Sequence, residues 1–131
     1  MHRAVLVVAA LASAFALNAD STAPAAGGKV VLVKMVDVSP TEYRFQPAEI
    51  SVQPGDTLRF EQAGAMPHNV EFRDIPIGTD LGAARSSPYL TRSGERYDLV
   101  IDSRFATGVH NFVCTPHESL GMRGILTVAA Q

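Results

Sequence analysis

Near its C-terminus the chain reads FVCTPHESLGMRGILTV, in which Cys114, His117 and Met122 stand at C-x2-H-x4-M spacing. Upstream, MPHNVEF places His68 at the start of an alternating apolar stretch. One thiolate, two imidazoles and one thioether form the donor set of a mononuclear blue copper site, with His2Cys in a plane and Met weak and long on the axis. Thiolate and thioether sulfur favour Cu(I), imidazole accepts either oxidation state, and a trigonal cage serves both with little rearrangement. Little rearrangement means fast electron transfer. Taken singly, a Cys is most often a small buried hydrophobe and a Met is core filler. Here the chain's only Cys lies three residues from a His and eight from a Met, in a loop that also holds Pro116 and Gly121.

Those four side chains need rigid elements to bring them together. From Lys29 onward, short apolar runs are separated by turn signals, and no segment has helical period. Lys29–Val38 reads as a first strand closed by Ser39-Pro40, and Ala48–Gln53 puts Ala48, Ile50 and Val52 on one face before Pro54-Gly55-Asp56 turns the chain. Thr57–Glu61 alternates with Leu58 and Phe60 inward, Asn69–Arg73 with Val70 and Phe72, and Arg96–Ile101 with Tyr97, Leu99 and Ile101. Val109–Cys114 and Gly124–Ala129 complete the set, while residues 74–94 form a long connection with one helical turn. This pattern predicts an antiparallel β-sandwich or barrel. By parity His68 shares a face with Val70 and Phe72, Cys114 with Phe112 and His110, and Met122 with Leu126 and Val128. All three donors fall at strand ends, where loops can converge on one atom.

Composition bounds the rest. The chain has 131 residues, 47% hydrophobic and 18% charged, with 11 Lys+Arg against 13 Asp+Glu. That length suits a single core, and the near-neutral balance excludes a basic nucleic-acid footprint. The run from Ala4 to Leu17 that follows Arg3, apolar except for Ser13, is too short to span a bilayer and has the form of a signal-peptide core. Residues 1–25 are therefore expected to be a signal peptide and leader, and residues 26–131 the exported domain, placed in the periplasm. In an oxidising compartment a single free thiol calls for burial or occupation.

FVCTPHESLGMRGILTV resembles the copper-binding loop of the plastocyanin/pseudoazurin group of cupredoxins, and MPHNVEF resembles the segment that carries their first ligand histidine. FQPAEISVQPGDTLRF is similar to the second and third strands of the same group. The likeness implies an all-β, cupredoxin-like Greek-key sandwich of about eight strands, with one type 1 copper held by His68, Cys114, His117 and Met122. It also implies that Asn69 ties the two ligand loops together and hydrogen-bonds toward the Cys114 sulfur. Pro116 lacks an N–H to donate to that sulfur, which predicts a lower reduction potential than in a Pro116→Ala variant. His110, well back along its strand, reads as a packed or hydrogen-bonded residue rather than a ligand.

The ligand count narrows the function classes. Beyond the leader the chain has three His and one Cys, too few for a multicopper oxidase, a two-copper nitrite reductase or a binuclear centre. With every donor drawn from protein, no position remains for a substrate, so an electron carrier is expected and an enzyme is not. Electrons would pass through the edge of His117. Ala65, Met66, Pro116 and Leu120 would form a flat patch on which a monomer meets transient partners, a cytochrome or a copper or haem enzyme. Two other readings stay open: a copper-binding or copper-delivery protein without a shuttle role, and a plain sandwich module. Val113 precedes Cys114 where plant members of the group carry Tyr, and no three acids are consecutive. Photosynthetic and respiratory roles therefore both stand.

Overall fold

The computed structural model describes residues 27–130; the expected signal peptide and leader lie outside the described residues. Eight strands form two four-stranded sheets, as the resemblance implied. They are β1 (Val30–Ser39), β2 (Glu42–Gln46), β3 (Glu49–Val52), β4 (Thr57–Gln62), β5 (Glu71–Phe72), β6 (Arg96–Val100), β7 (Gly108–Val113) and β8 (Arg123–Val128). One sheet has the order β2-β1-β4-β6, the other β3-β8-β7-β5. Alternation predicted antiparallel neighbours throughout, yet β1 pairs with β4, and β3 with β8, in parallel. Parallel neighbours need a crossover between them. For β1 and β4 that crossover runs out through β2 and across into the other sheet through β3.

Residues that alternate along the strands fill the space between the sheets. Leu58, Phe60, Phe72, Phe112 and Leu126 are fully buried, and Phe112 meets Phe45 edge-on at 4.8 Å and Phe60 at 5.4 Å between ring centroids. Such edge-to-face pairs add attraction beyond the area they bury. Phe112 lies across Gly124, its register partner on β8. A Cβ on that glycine would stand 2.2 Å from the ring, so the aromatic occupies the place of the missing side chain.

Three local readings change. Ala48, expected inside with Ile50 and Val52, is exposed because β3 starts one residue later. The strand expected over Asn69–Arg73 shrinks to Glu71–Phe72, since His68 pairs with Leu90 and Val70 exchanges bonds with Ser87 instead. Glu42–Gln46, unassigned from the sequence, is a strand whose Tyr43 and Phe45 face the core. The helical turn expected within residues 74–94 is the 3-10 turn Gly82–Arg85.

Candidate metal centre

Two loops at one end of the sandwich supply the donors. The first leaves β4 and reaches His68. Gln62, a buried amide at the end of β4, donates to the carbonyls of Met66 (2.6 Å) and Leu90 (3.1 Å) and accepts from the Gly64 amide (3.2 Å). His68 itself is locked by backbone bonds in both directions with Leu90. The second loop joins β7 to β8. Pro116 opens a 3-10 turn over Thr115–Leu120, and Gly121 closes it at φ 85°, a left-handed conformation that glycine adopts without strain. The Cys114 amide donates to the Met122 carbonyl and the Met122 amide to the His117 carbonyl, so the loop folds back on itself. Glu118 ties it outward to Arg73 at 3.3 Å and Arg123 at 3.0 Å.

The result is a small triangle of heteroatoms inside the core. His68 Nδ1 and His117 Nδ1 lie 3.1 Å apart, and the Cys114 Sγ lies 3.4 Å from His117 Nδ1 and 3.6 Å from His68 Nδ1. His68 and Cys114 are fully buried, and His117 retains 6% exposure. A triangle with these edges has its centre about 2 Å from each corner, close to the bond lengths of a transition metal to imidazole nitrogen and thiolate sulfur. The residues therefore fit a single metal ion of the soft, trigonal kind. Met122 is fully buried and shares backbone bonds with Cys114 and His117.

Burial sets the protonation of these groups. It pushes the Cys114 thiol upward, against the pull of the backbone amides of Asn69 and His117. It pushes His117 downward, and proximity to His68 adds to that. Both shifts favour the uncharged forms of Cys114 and His117, with a thiol proton that an incoming cation would displace.

The surrounding contacts differ between the two histidines. Asn69 Oδ1 accepts from the Thr115 amide at 2.8 Å and the Thr115 hydroxyl at 3.1 Å, joining the two loops. Tyr43 stacks on His117 with centroids 3.8 Å apart and planes 14° off parallel, its hydroxyl donating to the Pro40 carbonyl. His68 instead places Nε2 2.7 Å from Asp37 Oδ1. Burial opposes charge on Asp37, but hydrogen bonds from the Met66 amide, His68 and the Ala65 amide prevail and hold the carboxyl below its usual range. Sequence reading missed both Asp37 and Tyr43. The available signal was parity: Asp37 follows Val33 and Met35 on the inward phase of β1, an odd place for an acid, and Tyr43 precedes Phe45 on that of β2.

Pro116 is exposed on the turn, as are Ala65, Met66 and Leu120. His110 sits apart on β7, fully buried, with Nε2 3.0 Å from the Thr79 hydroxyl and Nδ1 3.3 Å from the Gly108 carbonyl.

Comparison with known proteins places this geometry. The family described as copper binding proteins, plastocyanin/azurin family, matches residues 32–129. The chloroplastic plastocyanin of Oryza sativa subsp. indica is 32% identical over 98% of this chain and 84% of its own length. Plastocyanin of Prochlorothrix hollandica is 32% identical over 82% of this chain and 79% of its own. Among solved structures, oxidised plastocyanin from the fern Dryopteris crassirhizoma aligns with TM-score 0.61 and 30% identity, covering 75% of this chain and 99% of that one. Pseudoazurin from Methylobacterium extorquens aligns with TM-score 0.57 and 30% identity, over 78% of this chain and 76% of its own.

Proposed function

The chain belongs to the plastocyanin/azurin family of copper-binding proteins, and on that premise we propose that it is an exported, single-copper electron carrier. His68, Cys114, His117 and Met122 would hold the ion, and the copper would supply a one-electron Cu(II)/Cu(I) couple. The observation that carries the reading is the triangle of His68 Nδ1, His117 Nδ1 and Cys114 Sγ, with edges of 3.1–3.6 Å, buried at one end of the sandwich. Each donor is fixed by backbone bonds from two loops, so the cage has little freedom to change shape when the charge at its centre changes. Four protein donors leave no place for a substrate, which favours outer-sphere transfer over catalysis.

His117 is the donor that meets the surface, and it is the route by which an electron would leave. Around it Met66 and Leu120 are exposed, and Asp37, Pro40, Tyr43, Ala65 and Met66 line a shallow, mainly apolar cleft. A patch of this kind suits brief encounters with a cytochrome or a copper or haem enzyme, met by a monomer. The N-terminal run from Arg3 to Leu17 supports secretion to the periplasm with a mature domain beginning near residue 26.

Stopped-flow mixing separates this reading from copper delivery. The Cu(I) protein should reduce a small c-type cytochrome and keep its copper, and a Met66→Glu/Leu120→Glu variant should react more slowly at an unchanged potential. Copper passing to a competing thiolate chelator without electron exchange would support delivery instead.

A further inference from the structure

We propose that Asp37 is a positioning residue of the metal centre, fixing which nitrogen of His68 faces the metal and making His68 the more strongly donating of the two histidines. The inference rests on the copper reading above. An ionised carboxylate only accepts, so the 2.7 Å contact from Asp37 Oδ1 assigns the ring proton of His68 to Nε2. A neutral imidazole protonated there carries its lone pair on Nδ1, the atom that faces Cys114 and His117. An anionic acceptor on the far nitrogen also raises the basicity of the ligating one.

The carboxylate is itself built in. Its other oxygen accepts from the amides of Ala65 at 2.7 Å and Met66 at 2.9 Å. Gly64 leaves it room: a Cβ there would stand 2.1 Å from Asp37 Oδ1. The register of β1 against β2 slips between Asp37 and Ser39, an irregularity of the kind that re-aims side chains beside functional sites. Among the described residues the His117 ring has no carboxylate partner; it meets the Tyr43 ring and the other two donors. The two imidazoles are thus inequivalent, one tuned by a charge and the other shielded by a stack.

Copper-loaded parent, Asp37→Asn, Asp37→Ala and a remote control, Asp102→Asn, should be compared by visible spectrum and redox titration. The ring nitrogens of His68 should be followed by 15N NMR in the metal-free proteins. Asn removes the charge and keeps one carbonyl oxygen, which can accept from His68 or from the Ala65 and Met66 amides but not from both. The expected result is a thiolate–copper band in all four, a potential raised in Asp37→Asn and Asp37→Ala but not in Asp102→Asn, and a His68 proton that moves toward Nδ1 in Asp37→Ala. Cu(I) affinity in Asp37→Ala should fall about 10- to 100-fold. An intact band with Asp37→Asn at the parent potential and an unmoved His68 proton in Asp37→Ala would overturn the proposal, leaving Asp37 as a loop anchor. Absence of the band from the parent would overturn the copper reading instead, and the metal-free NMR would still decide the role of Asp37.

Discussion

His110 and His117 are both buried imidazoles, both held below the ordinary histidine range by burial, and they do opposite things. Both ring nitrogens of His110 have protein partners. The Ala106 amide donates to the Thr79 hydroxyl, that hydroxyl donates to Nε2, and Nδ1–H donates to the Gly108 carbonyl. The chain closes on itself and holds the 79–106 contact against β7. At His117 the inward nitrogen faces another nitrogen and a sulfur, atoms that are all lone-pair donors. His110 has its partners within the protein; His117, read as a ligand, points at groups that share its need for a cation. Type and burial alone do not distinguish the two.

The comparison can be broken most forcefully by exchanging the losses. His117→Ala should abolish the parent's thiolate–copper band while the sandwich still folds. His110→Ala should keep the band and lose about 2–4 kcal/mol of stability, through a cavity and orphaned partners at Thr79 and Gly108. Denaturant titration of the metal-free variants and spectra of the loaded ones check both halves, and a reversed pattern would undo the assignment.

Acid sharpens the contrast at smaller scale. Because the fold favours neutral His110, the unfolded chain binds more protons below its ordinary pKa of 6.5. The stability that His110 contributes is therefore complete above that pH and is lost as pH falls from 6.5 through the lowered folded value. Parent and His110→Gln stabilities, measured from pH 8 down to about 5, should converge on the acid side. Parallel curves would show that His110 does not titrate as described.

The smallest expected effect lies on the ligand loop. Pro116→Ala introduces an amide next to Cys114 that can donate to the sulfur, and the potential should rise with the band position little changed. A lower potential in redox titration would refute the hydrogen-bond account of Pro116.

Much of this was legible in the chain because it is local. Leu58 and Phe60, Val70 and Phe72, and Leu99 and Ile101 declared their inward faces by strict alternation, and all are buried. Cys114, His117 and Met122 share one loop, so their spacing alone suggested a common centre. What escaped was long-range or short. β2 has five residues, three of them polar and outward or partly exposed, between Pro40 and Pro47, and offers little period to detect. The parallel pairings of β1 with β4 and β3 with β8 depend on crossovers that no local pattern records. Asp37 meets His68 across 31 residues of chain, and Tyr43 meets His117 across a longer interval still. Those contacts follow from how the β1 and β2 strands are packed against the two loops, which residue type does not encode. The loop from Cys114 to Met122 also tightens into a 3-10 turn, set by Pro116 at its start and Gly121 at its end.

The most direct test of the central claim is a visible absorption spectrum of the mature protein after Cu(II) addition and again after ascorbate, with Cys114→Ala alongside. The account predicts an intense thiolate-to-copper band in the parent that bleaches reversibly on reduction and is missing from the variant. A colourless parent that takes up Cu(II) only weakly, or a variant with the parent's spectrum, would contradict it.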